Sequence, residues 1–538
     1  MTDLFVFRNV LLRNAIDRRS LLKSAAAGGL LTTWPLLGAA PARAQVKSNP
    51  FTLGIASGDP APDGFVIWTR LAPEPLEARG GMAEAPVEVT WQVATDPAMA
   101  QVVRDGTAVA RIEVAHSVHV ELAGLDPGRD YFYRFRAGDA ESTVGRARTL
   151  PAPGSSVAEL RFAAAGCQAW EGGYYTAWRG IADDHLDFVF HYGDYIYERP
   201  YVGSFRGQAL PRTLPQDFPT CFTLTDYRRR YALYKTDPDL QAAHASCPFV
   251  VSFDDHEVAD NWAATTDPKD TPAEAFLVRR AAAFQAWYEH MPVRRAVMPY
   301  GPDVLAYRRF SVGTLADVAV LDTRQYRSKQ ACGDGFKAHC AEADDAARTM
   351  MGARQEAWLA EGLRTGSATW RVLAQQVLFA HFDWRAYPWV PDADGPAVDL
   401  DAWDGASAAR DRIMAMWRDA KAQNPVVLSG DVHRGLALDL RADWRDPASP
   451  CLGVEFLGTS ISSGGDGNAE STNVQKLYAE NPHLKYINEL RGYHRHTVTP
   501  RQWRADFRVV ERISTPGLPV TTAKSFVVEA GRPGLVDA

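Results

Sequence analysis

What most constrains the fold of this 538-residue chain is the set of residues at the ends of four short apolar runs. Leu160 to Ala165 leads into Gly166-Cys167-Gln168, and Phe188-Val189-Phe190 into His191-Tyr192-Gly193-Asp194-Tyr195-Ile196-Tyr197-Glu198. Phe249 to Phe253 leads into Asp254-Asp255-His256-Glu257, and Val426-Val427-Leu428 into Ser429-Gly430-Asp431-Val432-His433-Arg434. Runs this short and this apolar, alternating with helical patterns, predict strands buried on both faces of an α/β sheet covered by helices. Ligands of open α/β sheets bind beyond the carboxyl ends of the strands, so the four segments are expected to bring Cys, Asp, Tyr and His to one rim. Carboxylates bridge hard cations, while imidazole and thiolate suit transition metals. The glycine before Asp194 allows a sharp turn, and Asp431 and His433, one residue apart, project from the same side of an extended strand end. A lone Cys after a strand is usually a small buried hydrophobe, and a lone Tyr is usually core. Four such clusters in sequence order reverse both readings. They predict a polynuclear metal site with one softer metal beside one or more harder ones.

The rest of the chain frames this site. With 46% hydrophobic and 23% charged residues the composition is that of a soluble globular protein of several domains. A net charge of -7 without Lys/Arg blocks argues against a nucleic-acid partner. In residues 1–44, Arg18-Arg19-Ser20-Leu21-Leu22-Lys23 precedes a weakly apolar stretch containing Pro35 and ending at Ala42-Arg43-Ala44. This looks like a twin-arginine signal, which exports folded proteins. It predicts a bacterial periplasmic or secreted protein that meets the twin-arginine translocase and keeps no stable membrane anchor. Residues 45–152 alternate in short runs such as Val87 to Val93 and Val118 to Leu122, which predicts a β-domain. Its Leu125-Asp126-Pro127-Gly128 turn before Tyr131 resembles the corner of an immunoglobulin- or fibronectin-like sandwich. After the linker Pro151-Ala152-Pro153-Gly154, residues 155–538 are expected to form the α/β domain.

Smaller expectations follow from local pattern. Thr271-Pro272-Ala273-Glu274 predicts a capped helix start with a capping box. Cys332 and Cys340 leave a local disulfide open, whereas Cys221, Cys247 and Cys451 are expected to be structural. His494 and His496 read as surface or loop residues, and Arg324 as one half of a structural ion pair. Asp254 is either a turn cap or a further ligand. The Pro-, Gly- and aromatic-rich insertion from Arg199 to Phe222 is expected to wall a substrate groove.

Gly193-Asp194 with Tyr197, Asp255-His256-Glu257 and Gly430-Asp431-Val432-His433 resemble the blocks of calcineurin-like metallophosphoesterases. More narrowly, the chain resembles the alkaline phosphatase D (PhoD) family. The likeness continues through Leu321 to Arg327, Asp401 to Gly405, Ser460 to Ser463 and Val527 to Gly534, and so covers nearly the whole chain. The resemblance implies a β-sandwich followed by a two-sheet α/β/β/α metallophosphoesterase domain. It implies a secreted phosphoesterase that hydrolyses mono- and diesters with a metal-bridging oxide or hydroxide. A phospholipase D-like diesterase acting on phospholipid head groups and a non-catalytic surface-binding protein are the alternatives. Cys167, Asp194, Tyr197 and His433 would hold ferric iron, and Asp431 and Asp255 calcium, with zinc or manganese left open. His256 would be the general acid or an oxyanion stabiliser, with Asp255 beside it in the catalytic pair.

Overall fold

The computed structural model describes residues 49–201, 204–205, 208–391, 394–444 and 446–538. The expected signal, residues 1–44, lies outside the described residues. Among those described, no helix is long and apolar enough to cross a membrane.

Two large sheets pack face to face and form the body of the molecule. In the first, the parallel strands Leu160–Ala165, Phe188–His191 and Phe249–Val251 lie side by side, flanked by four antiparallel strands from Arg491 to Asp537. In the second, Ala316–Val320, Trp370–Ala374, Pro425–Ser429 and Cys451–Leu457 are parallel neighbours within a seven-stranded sheet. Alternate residues of each strand face opposite ways. Phe162, Phe188 and Phe190 therefore join Val372, Val426 and Phe456 in the core between the sheets. The intervening Ala163, Val189 and Val251 face Trp178, Tyr231 and Trp287 on the helices outside the first sheet. Leu373 and Val427 likewise meet Leu359 and Ile413 on the helices outside the second. Burial on both faces is why these strands read as unbroken apolar runs. The result is the α/β/β/α arrangement.

The N-terminal part is a β-sandwich whose core includes Phe65, Ile67, Val89 and Tyr133. The Tyr131 hydroxyl accepts the Asp126 backbone N–H at 2.9 Å, closing the corner expected from the turn sequence. One of the two sandwich sheets does not stop at the linker. Strand Ile55–Ala61 pairs with Phe249–Val251 at Gly58, so the first large sheet continues into the sandwich and reaches ten strands. The strand partner fits because Gly58 has no side chain: a Cβ there would lie 2.3 Å from the Pro292 carbonyl oxygen.

Three local expectations differ from the structure. The helix Ala273–His290 starts from Pro272, with no side-chain cap. Thr271 instead donates its hydroxyl to Asp267 at 2.8 Å, so the carboxylate has captured the residue expected to cap the helix. His494 and His496 are not at the surface: they lie on strand Arg491–Val498, 1% and 0% exposed. Their strand is sandwiched between two others, and His496 packs on Phe162, Phe456 and Trp503. None of the described residues from Arg199 to Phe222 lines the large cavity at the strand ends, although Tyr201 packs on Tyr197 with ring centroids 5.7 Å apart. The disulfide left open by the sequence joins Cys332 to Cys340. Cys221 and Cys247 are buried and Cys451 half-buried, all with free thiols.

Candidate metal centre

The four segments converge, but on the ends of both sheets rather than on one. Three come from the first sheet, and the fourth, after Pro425–Ser429, comes from the second. Each chain segment turns abruptly as it leaves its strand. Cys167, Asp194, Asp431 and His433 all adopt positive φ, between 54° and 73°. Non-glycine residues held there carry strain of order 1–3 kcal/mol each, which the surrounding contacts must offset. Gly193 makes one of these turns possible, since a Cβ there would lie 2.5 Å from the Asp254 Cβ. Backbone bonds then lock the turns together. Cys167 and Gln168 N–H groups donate to the carbonyls of Gly193 and Asp194, both at 3.0 Å. Ser463 clamps the Cys167 turn from the second sheet, donating to its carbonyl at 2.8 Å while accepting from Ala169 N–H at 3.0 Å.

Glu257 is the hub of this scaffold. Its fully buried carboxyl accepts backbone N–H groups of Asp194 (3.1 Å), Tyr195 (2.6 Å) and Asp254 (2.8 Å). It thereby joins the second and third segments. Burial pushes its carboxyl up to about 7, against the backbone donors that pull it down. The sequence displayed Glu257 within its block but carried no signal of this role.

The side chains form three overlapping groups whose ligand atoms lie within 4.8 Å of one another: Cys167, Asp194 and His433; Asp194, Asp255 and His256; Asp254, Asp255 and Asp431. Asp194 and Asp255 are each shared by two groups. Tyr197 completes the first, with its hydroxyl 2.9 Å from Asp194 Oδ2 and 3.0 Å from His433 Nε2. Cys167, Asp194, Tyr197 and Asp255 are buried, while Asp431 and His433 are half-buried. Buried carboxylate oxygens are normally paired. Here Asp194 Oδ1, Asp254 Oδ2 and Asp255 Oδ1 have no hydrogen-bond donor. Burial, and then Asp255, pushes Asp194 well above the usual carboxylate range. Burial and Asp254 do the same to Asp431, and burial and Asp194 raise the Cys167 thiol. Acids this crowded and this short of donors are what a set of cations would relieve. The donors therefore fit metal ions, with the thiolate and imidazole in one group and three carboxylates in another.

Two further side chains shape the site. His256 Nδ1 is held by Glu198 Oε2 at 2.7 Å, and its Nε2 lies 3.9 Å from Asp255 and 3.7 Å from Asp260. Although burial opposes it, the carboxylates of Asp255, Glu198 and Asp194 hold the imidazole well above its ordinary pKa. Arg324 is fully buried, bonded to Asp254 at 2.5 Å and to Asp401 at 2.9 Å. It is the structural ion pair expected from the sequence, and Arg327 and Gln330 also engage Asp401. Asp194, Asp255, His256, Asp431 and His433 line a cavity of about 730 Å³, whose wall also includes Phe336, Tyr387, Pro388 and Trp389. That part of the wall had no signal in the sequence.

Comparison with known proteins states the class to which this fold and cavity belong. Residues 162–507 match the family model described as PhoD-like phosphatase, and residues 38–151 match that family's N-terminal domain. Alkaline phosphatase D of Bacillus subtilis (strain 168) is 45% identical over 531 residues, 97% of this chain and 89% of the relative. The solved structure of PhoD superposes with a TM-score of 0.88 at 46% identity, covering 91% of this chain and 92% of the other. The class is phosphoric ester hydrolase. Within it, the chain belongs to the PhoD-like phosphatase family.

Proposed function

We propose that the chain is an exported, metal-dependent phosphoesterase that cleaves phosphate mono- and diesters at the cluster around Asp194. The observation that carries this reading is the chain of shared carboxylates, with three buried oxygens that no protein donor reaches. Cys167, Asp194, Tyr197 and His433 would hold ferric iron; Asp255 and Asp431, with Asp254 beside them, would hold calcium. Zinc and manganese are the competing occupants. When bound, such ions supply positive charge for the phosphate and a water acidified to near neutrality.

The protein's own groups do the rest. Glu198 fixes His256 Nδ1 and leaves Nε2–H aimed into the cavity, where it can donate to the departing ester oxygen. Arg324 is committed to Asp254 and Asp401, so it holds a ligand carboxylate in place and does not bind phosphate. A site crowded with anionic donors has a lower net charge. It gives a monoester dianion less advantage, so diesters are accepted beside monoesters.

Metal analysis of purified protein, paired with hydrolysis of a chromogenic monoester and diester of the same leaving group, tests the reading. Cys167→Ser is expected to lose the transition metal and activity together, and chelators to abolish turnover. Full activity after exhaustive chelation would remove the metal-dependent reading. A colourless, zinc-only enzyme would remove the iron assignment alone.

A further inference from the structure

The geometry points to a second half of the substrate site: Trp389 and Phe336 form an aromatic clamp for a flat, uncharged organic substituent of the phosphoester. This rests on the proposed phosphoesterase reading for the position of the phosphate. A cavity of about 730 Å³ belongs to the range that encloses whole organic ligands, well beyond a phosphate group. Donor-cluster residues Asp194, Asp255, Asp431 and His433 and the aromatic residues Phe336, Tyr387 and Trp389 line the same cavity.

Trp389 is 48% exposed, and its exposed surface borders a concave site instead of lying singly on the outside. Its ring meets Phe336 edge-on, with centroids 4.8 Å apart at 88°, and lies 5.3 Å from Tyr387 at 34°. The Arg434 guanidinium supports this wall, 4.5 Å from the Tyr387 ring centre and 5.6 Å from that of Trp389. Arg434 is itself tied to Glu489 at 3.2 Å and to the Tyr387 hydroxyl at 2.9 Å. Phe336 is anchored by the ladder that pairs Phe336–Ala338 with Ala397–Asp399.

The cation beside this wall is already matched: Arg434 is paired with Glu489 at 3.2 Å. Asp399, on the strand that pairs with Phe336, adds a carboxyl to the same lining. A second anionic group on the substrate would therefore compete with an established pair. What the wall offers freely is ring surface, held rigid before binding, so stacking loses little side-chain freedom.

The test is calorimetric titration of the metal-loaded enzyme with two phosphonates that share a head group, 1-naphthylphosphonate and methylphosphonate. Wild type is expected to prefer the naphthyl compound about tenfold. Trp389→Ala should erase that preference while leaving methylphosphonate binding unchanged, and Trp389→Phe should restore most of it. With 1-naphthyl phosphate as substrate, Trp389→Ala should raise KM and keep kcat within about twofold. A naphthyl preference that survives in Trp389→Ala, an equal weakening of both ligands, or no preference in wild type would each overturn the clamp. Failure to hydrolyse any phosphoester would instead overturn the proposed activity, and the calorimetry would still report on Trp389.

Discussion

At the scale of single residues, some buried polar groups have no evident chemical use, and His494 is one of them. His494 is 1% exposed between strands, and neither ring nitrogen has a hydrogen-bond partner among the described residues. Burial pulls its pKa down to about 3. The unfolded chain takes up a proton near pH 6.5, while the folded protein refuses one until about pH 3. The proton-linked penalty is therefore absent above pH 6.5 and grows as pH falls toward 3. His494→Phe removes both the orphaned nitrogens and this proton linkage. The variant is expected to equal or exceed wild type at pH 7 by up to about 3 kcal/mol, the range for unmade buried hydrogen bonds. It should also lose less stability at pH 4.5. Urea unfolding midpoints at the two pH values measure this, and an unchanged pH dependence would count against it. The sequence hid this residue because the alternation Tyr493-His494-Arg495-His496 looks polar; only the neighbouring strands bury it.

At the scale of elements, the segment from Ala331 to Cys340 links a local cross-link to the substrate cavity. The Cys332–Cys340 bridge closes a loop in which Asp334 accepts from the Asn261 side chain at 2.9 Å and Phe336 lines the cavity. Loop-closure entropy for a ring this small amounts to about 2.5 kcal/mol. Replacing both cysteines by serine is therefore expected to lower stability by up to that amount and to make this loop the first site of limited proteolysis. Equal unfolding midpoints and equal cleavage patterns would show the bridge to be dispensable. The helix Ala273–His290 teaches the complementary lesson. Phe276, Ala281, Phe284 and Trp287 on this helix are buried and Leu277 is half-buried, but its N-terminus was settled by Asp267, a neighbour outside the capping motif.

At the scale of the whole molecule, the sandwich and the catalytic layers are stitched into one body. Besides the shared sheet, the Trp68 indole donates to the Glu289 carbonyl at 3.0 Å, and Arg308 pairs with Asp59 at 2.7 Å. A protein whose proposed metal donors come from two sheets and four chain segments would assemble its site only on folding. Export after folding, as proposed from Arg18 and Arg19, suits such a protein because metal loading is then complete before translocation. Changing both arginines to lysine is expected to leave an uncleaved, folded and metal-loaded precursor in the cytoplasm. Cell fractionation with metal analysis checks this, and normal periplasmic accumulation would exclude the route.

The sequence by itself determined the strands and the residues that end them. Apolar runs bounded by Gly-Asp, Asp-Asp-His and Gly-Asp-Val-His encode local geometry, and local geometry is carried by the chain's own spacing. It suggested an ion pair for Arg324, and only the structure buried that guanidinium against Asp254 and Asp401. Tertiary structure alone decided which sheet supplied each donor, because strand order is set by how two sheets bury their faces together. It decided that Glu257 would bind three backbone N–H groups from two separate turns. It decided that Phe336 and Trp389, and none of the described residues of the insertion after Tyr197, would line the cavity with the donors. Such contacts join residues tens to hundreds of positions apart, and no periodicity or motif along the chain encodes that proximity.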